Sequence, residues 1–345
     1  MGRRTTAGRP SLVEMSEPRI GVAGVGSLGR HHARILSSLP GVRSAGVFDV
    51  LAERAGEVGQ AFGVPTFPSL DALLEVCDAI VVAVPTAAHE EVACAALDRG
   101  IHVMVEKPLA PSLDAADRIL AAGATSGAVV QVGHVERFNP VVLAASEYLD
   151  EPLFIESHRM AAFSPRSTDV AVVLDLMIHD VDLVMRVVGK PIVEVAAVGV
   201  PVLSGSIDIA NARLTFEGGA VANLTASRVS LERMRKLRIF QRSGYISLDL
   251  AGGTGEFLRL RDALPGLAGE AAGHGIRAEN LGDIVERIPL VGDGREPLSR
   301  ELESFRDAIG NGRAPAVSGR EGRDALAVTL TIQERIEAHV VDSRT

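Results

Sequence analysis

Residues 19–49 read RIGVAGVGSLGRHHARILSSLPGVRSAGVFD, and this stretch decides the first half of the fold. RIGVAGVG is a short apolar run ending in glycines, the pattern of a buried strand entering a loop. SLGRHHARILSSL has helical spacing and stops at Pro40-Gly41, and VRSAGVFD is strand-like again. Gly24-Val25-Gly26-Ser27-Leu28-Gly29 fits G-x-G-x-x-G at the strand–helix junction. There the first glycine permits a tight turn, the second lets backbone approach a pyrophosphate, and the third lets helix and strand pack closely. The helix N-terminus adds free N–H groups and a partial positive charge. Asp49 ends the second strand, at the distance expected of an acid that accepts hydrogen bonds from an adenosine ribose. A carboxylate there repels a 2′-phosphate and favours NAD over NADP; Arg54 nearby softens that preference.

Outward from this stretch the alternation continues. LAERAGEVGQAF reads as a second helix, then come a short helix after VPTFPSL and the strands DAIVVAV, IHVMVE and AVVQVG. Strand–helix alternation at this spacing implies right-handed crossovers and a doubly wound parallel sheet over residues 18–133. From residue 134 to 345 the texture changes to a second, α+β domain. One helix over about 170–188 precedes the runs IVEVAAVGV, DIANARLTF, AVANLTASRV, KLRIFQRS and YISLDL. Glu217-Gly218-Gly219 is a hairpin signal, so this half is an open, mostly antiparallel sheet. A helical tail over about 300–339 is broken by GNGRAPAVSG, and residues 1–17 read as a flexible extension in which Met15 is an alternative start.

Composition narrows the classes. The chain has 345 residues and a net charge of −9, so no global basic field draws nucleic acid. No apolar run is long enough to span a bilayer, and no signal-peptide pattern is present, which points to the cytoplasm. Cys77 and Cys94 lack metal spacing and read as thiols in a reducing compartment. The basic cluster Arg233, Arg235, Lys236 and Arg238 fits a solvated strand face, a cradle for an anionic substrate, or an oligomer contact.

Several residues carry chemistry. Val84-Pro85-Thr86 follows a strand at the sheet edge where such folds bind ligands. Thr86 can cap the next helix or touch the nicotinamide half of a cofactor. His89 sits in the first turn that follows and reads as structural or as a cofactor contact. Glu106-Lys107-Pro108 closes another strand at the same edge. A cationic oxidised nicotinamide beside Lys107 lowers its pKa, so that it can take the proton of a substrate hydroxyl as hydride leaves. Asp175 and His179 are four residues apart and share a helix face, suited to hold a hydroxyl and move its proton. A metal is the other reading of that pair, but no third ligand stands out. His134, Glu136, Arg137 and Asn139 form a dense polar group between the domains, with Asn139 placed to cap the helix that Pro140 opens. Arg159 and Arg166 add positive charge to the same half.

GVGSLG, EKP and the D-x-x-x-H spacing of Asp175 and His179 together resemble the glucose–fructose oxidoreductase / inositol dehydrogenase (Gfo/Idh/MocA) family, from about Arg19 to the C-terminus. The resemblance implies an NAD-dependent sugar dehydrogenase. Lys107 and His179 would serve in proton transfer, Asp175 would bind the substrate hydroxyl, and no metal would be needed. It also implies a homodimer or homotetramer built on the second sheet. Within the family, GHVERFNP and VVLDLMIHDVDL look like members that oxidise the 3-hydroxyl of UDP-N-acetylglucosamine for lipid A. Inositol or other monosaccharide oxidation, and a non-catalytic NAD-binding regulator, are the competing readings.

Overall fold

The computed structural model describes residues 17–163, 170–261 and 284–342. Arg166 and residues 1–16 lie outside the described residues. Five parallel strands form the first sheet in the order β2-β1-β3-β4-β5: β1 Arg19–Ala23, β2 Arg43–Phe48, β3 Ala79–Val82, β4 His102–Glu106 and β5 Val130–Gly133. The strand order reverses between β1 and β3, so a crevice opens beyond their carboxyl ends. Helices α1 Ser27–Leu36, α2 Ala52–Phe62, α3 Leu70–Leu74, α4 His89–Leu97 and α5 Leu113–Ser126 connect the strands. Ser69 and Ser112 cap α3 and α5 by accepting from Ala72 N–H and Ala115 N–H. The doubly wound reading holds, strand by strand.

Eight strands form the second sheet in the order β13-β12-β11-β10-β6-β9-β8-β7. β7 Ile192–Val200, β8 Ile209–Phe216, β9 Val221–Ser227, β10 Met234–Gln241 and β11 Gly244–Asp249 fall where the sequence places them. Gly218 and Gly219, both at positive φ, make the β8–β9 turn. Pairings are antiparallel except that β6 (Phe154–Met160) runs parallel to β9. The central β6, β12 (Thr254–Leu260) and the edge strand β13 (Val285–Val291) carry no signal that singles them out in the sequence. On β6 the inward positions are Ile155, Ser157 and Arg159, so only one is apolar and the period-two signal fails.

One face of the second sheet packs Ile155, Leu214, Leu224, Leu237 and Ile246 against Val173, Met177, Val181 and Val184. These helical residues belong to a segment expected to be one regular helix. Instead a π turn, Val173–Met177, leads into α7, Ile178–Val188. The core of the first domain also draws on the C-terminal segment. Leu302 and Phe305 of α8 (Pro297–Asn311) join the cluster of Ile20, Val22 and Met104, while Val317 joins that of Ile80 and Val105. The last helix, α9 (Gly319–Asp342), adds Leu326 to the second of these clusters. The C-terminal segment thus returns to complete the core of the first domain.

Candidate active site

The glycine turn is built as the spacing demands. Gly24 has φ +82°, and a Cβ there would lie 2.7 Å from the Ala83 carbonyl oxygen. A Cβ on Gly29 would lie 1.8 Å from the Gly24 carbonyl oxygen, so α1 can cross β1 this closely only with glycine. At Gly26 no atom lies within 4 Å of where a Cβ would be, which leaves room beside the N-terminus of α1 for a phosphate. Asp49 is buried; its Oδ2 accepts from Val25 N–H and its Oδ1 from Leu51 N–H, both at 2.9 Å. Each oxygen keeps a further lone pair. Arg54 lies 3.5 Å from Oδ2. Ser27 and Leu28 begin α1, with Leu28 exposed. This arrangement fits a dinucleotide.

Pro85 and Thr86 follow β3 on the other side of the crevice, but neither α4 nor the short turn before it has a side-chain cap, so Thr86 does not cap. His89 departs from the cofactor reading. Its Nδ1 lies 2.9 Å from the Pro108 carbonyl and its Nε2 3.0 Å from that of Val84, so the ring sits between the loop after β3 and the turn after β4 and in its neutral form donates to one of the two carbonyls. Burial lowers its pKa even though the two carbonyls favour the protonated ring.

Glu106, at the end of β4, accepts a 2.6 Å hydrogen bond from Nε2 of His32, a buried residue of α1 that sequence reasoning passed over. Burial pushes the Glu106 carboxyl upward, but the His32 bond and the Lys107 charge outweigh it and leave its pKa lowered. The Lys107–Pro108 peptide bond is cis. Lys107 Nζ donates to the Asp175 carbonyl at 2.6 Å and lies 3.5 Å from Asp175 Oδ1. The carbonyl belongs to the π turn, a geometry common at functional sites. Burial lowers the Lys107 pKa, and the charges of Asp175 and Glu106 only partly offset it. His179 follows on α7. Burial first, then the nearby cations Lys107 and Arg159, hold its ring well below the usual histidine value, and its Nδ1 has no hydrogen-bond partner. The strand end and the helix therefore bring Lys107, Asp175 and His179 together.

The polar group between the domains divides into bracing and open members. Arg137 donates to both oxygens of Asp182, at 2.8 and 2.6 Å, and to Glu321 at 2.6 Å. Asn139 caps α6 (Pro140–Ala145) by accepting from Val141 N–H, and gives its Nδ2 protons to Glu136 and the Leu250 carbonyl. Arg159 grips Asp180 through Nε and Nη2 and Glu136 through Nη1. Arg137, Asn139 and Arg159, expected at the substrate, are thus occupied in structural contacts, because burial leaves their donors no water to use. Glu136 stays within 3.5 Å of Arg235. His134 is buried with both ring nitrogens unpartnered and Nδ1 4.0 Å from Asp182. Behind it sits Glu301 of α8, wholly buried, with neither carboxylate oxygen paired. Burial, then the charges of Glu106 and Asp182, raise its pKa well above the ordinary carboxyl value. Nothing in the helical pattern of ELESFRDAIG marks Glu301 as the inward residue of that run.

The basic cluster also splits. Arg235 lies on the inward side of the sheet with Leu237, Arg233 just before the strand, and Lys236 and Arg238 on the outward side, Arg238 3.5 Å from Glu156. Cys77 is buried, which pushes its thiol up to about 12, and Cys94 is half-buried; both are free. No cluster of three metal-ligating side chains occurs among the described residues. No helix among them is long and apolar enough to cross a membrane.

Crevice, glycine turn and lysine-ended strand describe a Rossmann oxidoreductase. Residues 18–134 match the oxidoreductase family with an NAD-binding Rossmann fold, and residues 143–247 match the GFO/IDH/MocA C-terminal domain. The chain belongs to the GFO/IDH/MocA family. It is 37% identical to the UDP-N-acetylglucosamine 3-dehydrogenase of Acidithiobacillus ferrooxidans, over 94% of this chain and 99% of that one. A solved structure of that enzyme superposes with a TM-score of 0.85 at 36% identity, covering 94% of this chain and 99% of the other. A myo-inositol 2-dehydrogenase of Thermotoga maritima is 26% identical over 92% of this chain and 96% of its own length. The chain is accordingly an oxidoreductase, a dehydrogenase acting on CH–OH groups, with a nicotinamide cofactor.

Proposed function

We propose that the protein oxidises the 3-hydroxyl of UDP-N-acetylglucosamine to a ketone with NAD. The observation that carries this reading is the meeting of Lys107, Asp175 and His179 at the carboxyl edge of the first sheet, in a chain similar along its length to an enzyme of that name. Gly24 to Gly29 would hold the pyrophosphate and Asp49 the adenosine ribose, with the phosphate-repelling carboxylate favouring NAD over NADP. When bound, the nicotinamide supplies the hydride acceptor.

The remaining chemistry belongs to the chain. Asp175 and His179 orient the hydroxyl. The depressed pKa of His179 makes it a weak base and a neutral hydrogen-bonding partner at neutral pH. Lys107, lowered by burial and lowered further beside a cationic ring, takes the hydroxyl proton at Nζ as the carbonyl forms. The Asp175 carbonyl aims the ammonium so formed.

The outward face of the second sheet supports a homo-oligomer. Phe154, Phe240 and Tyr245 stack there, with centroids 5.6 and 4.6 Å apart, beside the charged pair Arg238–Glu156. Such a half-apolar sheet face suits burial against a second copy. Free cysteines suit a cytoplasmic enzyme.

The test is NADH absorbance with purified protein, NAD and UDP-N-acetylglucosamine, drawn forward by a PLP aminotransferase and glutamate because the oxidation is uphill. A signal that requires the nucleotide sugar supports the reading. Turnover of myo-inositol in place of the nucleotide sugar would overturn it.

A further inference from the structure

A cavity of about 530 Å³ opens between the turn after β5, the start of β10 and the N-terminus of α8. Its walls include Glu136, Arg233, Arg235, Ala251, Glu296 and Leu298. We propose that this cavity is the subsite for the diphosphate of a nucleotide-linked substrate, with Arg233 and Arg235 as its two cationic grips. The inference rests on the reading of the substrate as a nucleotide sugar and assigns residues to its anionic part.

Three features of the cavity point to an anion. The first is an unbalanced pair of cations. Of the two carboxylates in the wall, Glu136 is held by Arg159 at 2.9 Å and Glu296 by Arg34 at 2.5 Å. Arg233 is exposed and has no ion-pair partner among the described residues. Arg235 reaches only the already engaged Glu136, at 3.5 Å. The neighbouring cations Arg159 and Arg233 add to burial in lowering the Arg235 pKa, a cost that a bound anion would relieve.

The second is spacing. Arg233, just before β10, and Arg235, its second residue, both line the cavity, and two residues of extended chain set their Cα atoms roughly 6.5 Å apart. That separation suits one guanidinium to each phosphate, and guanidinium forks match phosphate oxygens. The third is the N-terminus of α8, a helix of 15 residues whose first turn, Pro297 and Leu298, forms part of the wall. Pro297 has no N–H and those of Ser299 and Arg300 go to the Glu296 carbonyl, so what this helix end adds to the attraction is its positive dipole end and the Leu298 N–H.

Position links the cavity to the chemistry. Arg235 lies directly across from Arg159 in the β10–β6 register, and Arg235 is among the cations that depress His179. A diphosphate gripped here would hold the attached sugar toward His179 and Lys107. Arg159 itself is not assigned to the subsite: it is buried and held by Asp180 and Glu136 through three of its five N–H groups.

The test is calorimetric titration of UDP, and separately of NAD, into wild type, Arg233→Ser, Arg235→Lys, the double variant Arg233→Ser/Arg235→Ser, and Lys236→Ser on the opposite sheet face. Thermal melts confirm folding, and exposed Arg233 gives a substitution that does not disturb the core. Arg233→Ser is expected to weaken UDP about tenfold, the loss of one charge-assisted hydrogen bond, and the double variant about a hundredfold. Arg235→Lys keeps the charge but loses the fork and should fall between wild type and the double variant. NAD affinity should hold throughout, and Lys236→Ser should bind UDP as wild type does. UDP binding with wild-type affinity in the folded double variant would overturn the subsite while leaving nucleotide-sugar oxidation standing. Absence of UDP binding to wild type, with NAD bound and no coupled turnover, would overturn both.

Discussion

The segment from Val173 to Val188 carries two sets of polar side chains that meet opposite fates. Asp180 and Asp182 are buried, and each is gripped by both arms of one arginine, Arg159 and Arg137 respectively. Asp175 and His179, on the same segment, meet only a lysine and each other's neighbourhood: a carboxylate 3.5 Å from Lys107 Nζ and a ring whose Nδ1 has no partner. The same residue types, a turn apart, are saturated in one place and unsaturated in the other. Saturated pairs convert charge into rigidity, since removing one partner strands the other in a low-dielectric setting. Unsaturated groups keep their capacity for a ligand. The contrast locates the reacting atoms better than any count of charged residues.

The contrast predicts that substitutions on the two sides fail in different ways. The largest effect belongs to Lys107→Met, which should lower kcat by about a thousandfold or more while leaving the NAD dissociation constant unchanged. Steady-state rates with parallel NAD titration check this, and an equal loss of NAD affinity would move Lys107 from chemistry to cofactor binding. In wild type the rate of alcohol oxidation should rise with pH as Lys107 loses its proton, because the neutral amine is the acceptor. That rise should level off below the ordinary lysine value of 10.5, since burial lowers the folded pKa.

On the saturated side, Arg159→Met should cost about 3–5 kcal/mol in denaturant unfolding, because Asp180 and Glu136 lose their partner in the interior. A loss under about 1 kcal/mol would mean that the network does not brace the cleft. His179→Asn returns to the open side, with a fall in kcat of about a hundredfold and little change in melting temperature. The smallest effect falls between the two classes. The Glu301 pKa is raised in the fold above its ordinary value of 4.5, so this group's contribution to stability is fully present below that value and is lost as pH rises above it. Glu301→Gln should therefore be the more stable protein at pH 8, with a gap over wild type that narrows toward pH 5. The slope cannot exceed about 1.4 kcal/mol per pH unit, the value for one proton. A pH-independent gap would show that Glu301 keeps its charge.

The first sheet was legible because its strands are built on short apolar runs and its glycines answer to backbone geometry, which sequence displays directly. Lys107, Asp175 and His179 were legible for a related reason: two lie at fixed helical spacing and the third ends a strand. The division of labour among the remaining polar residues was not. Arg137, Arg159 and Asn139 look like ligands in the sequence, and only the fold shows the long-range partners such as Asp182, Asp180 and Leu250 that hold them in place. His32 escaped notice because its partner, Glu106, is 74 residues away. The strand β6 was hidden by Arg159 itself, a charge at a core-facing position.

The return of the last helices to the first domain has a consequence for how the chain is made. Phe305 and Leu302 fill the same cluster as Ile20 and Val22, and each such side chain contributes about 1.5–3 kcal/mol when buried. A ribosome delivers the chain from its N-terminus, and domains usually fold as they emerge. Here the nucleotide-binding half leaves the exit tunnel nearly 170 residues before its own closing side chains are synthesised. Until then it must wait with an apolar seam open to the cytosol, so this half is the one a holdase would guard during translation.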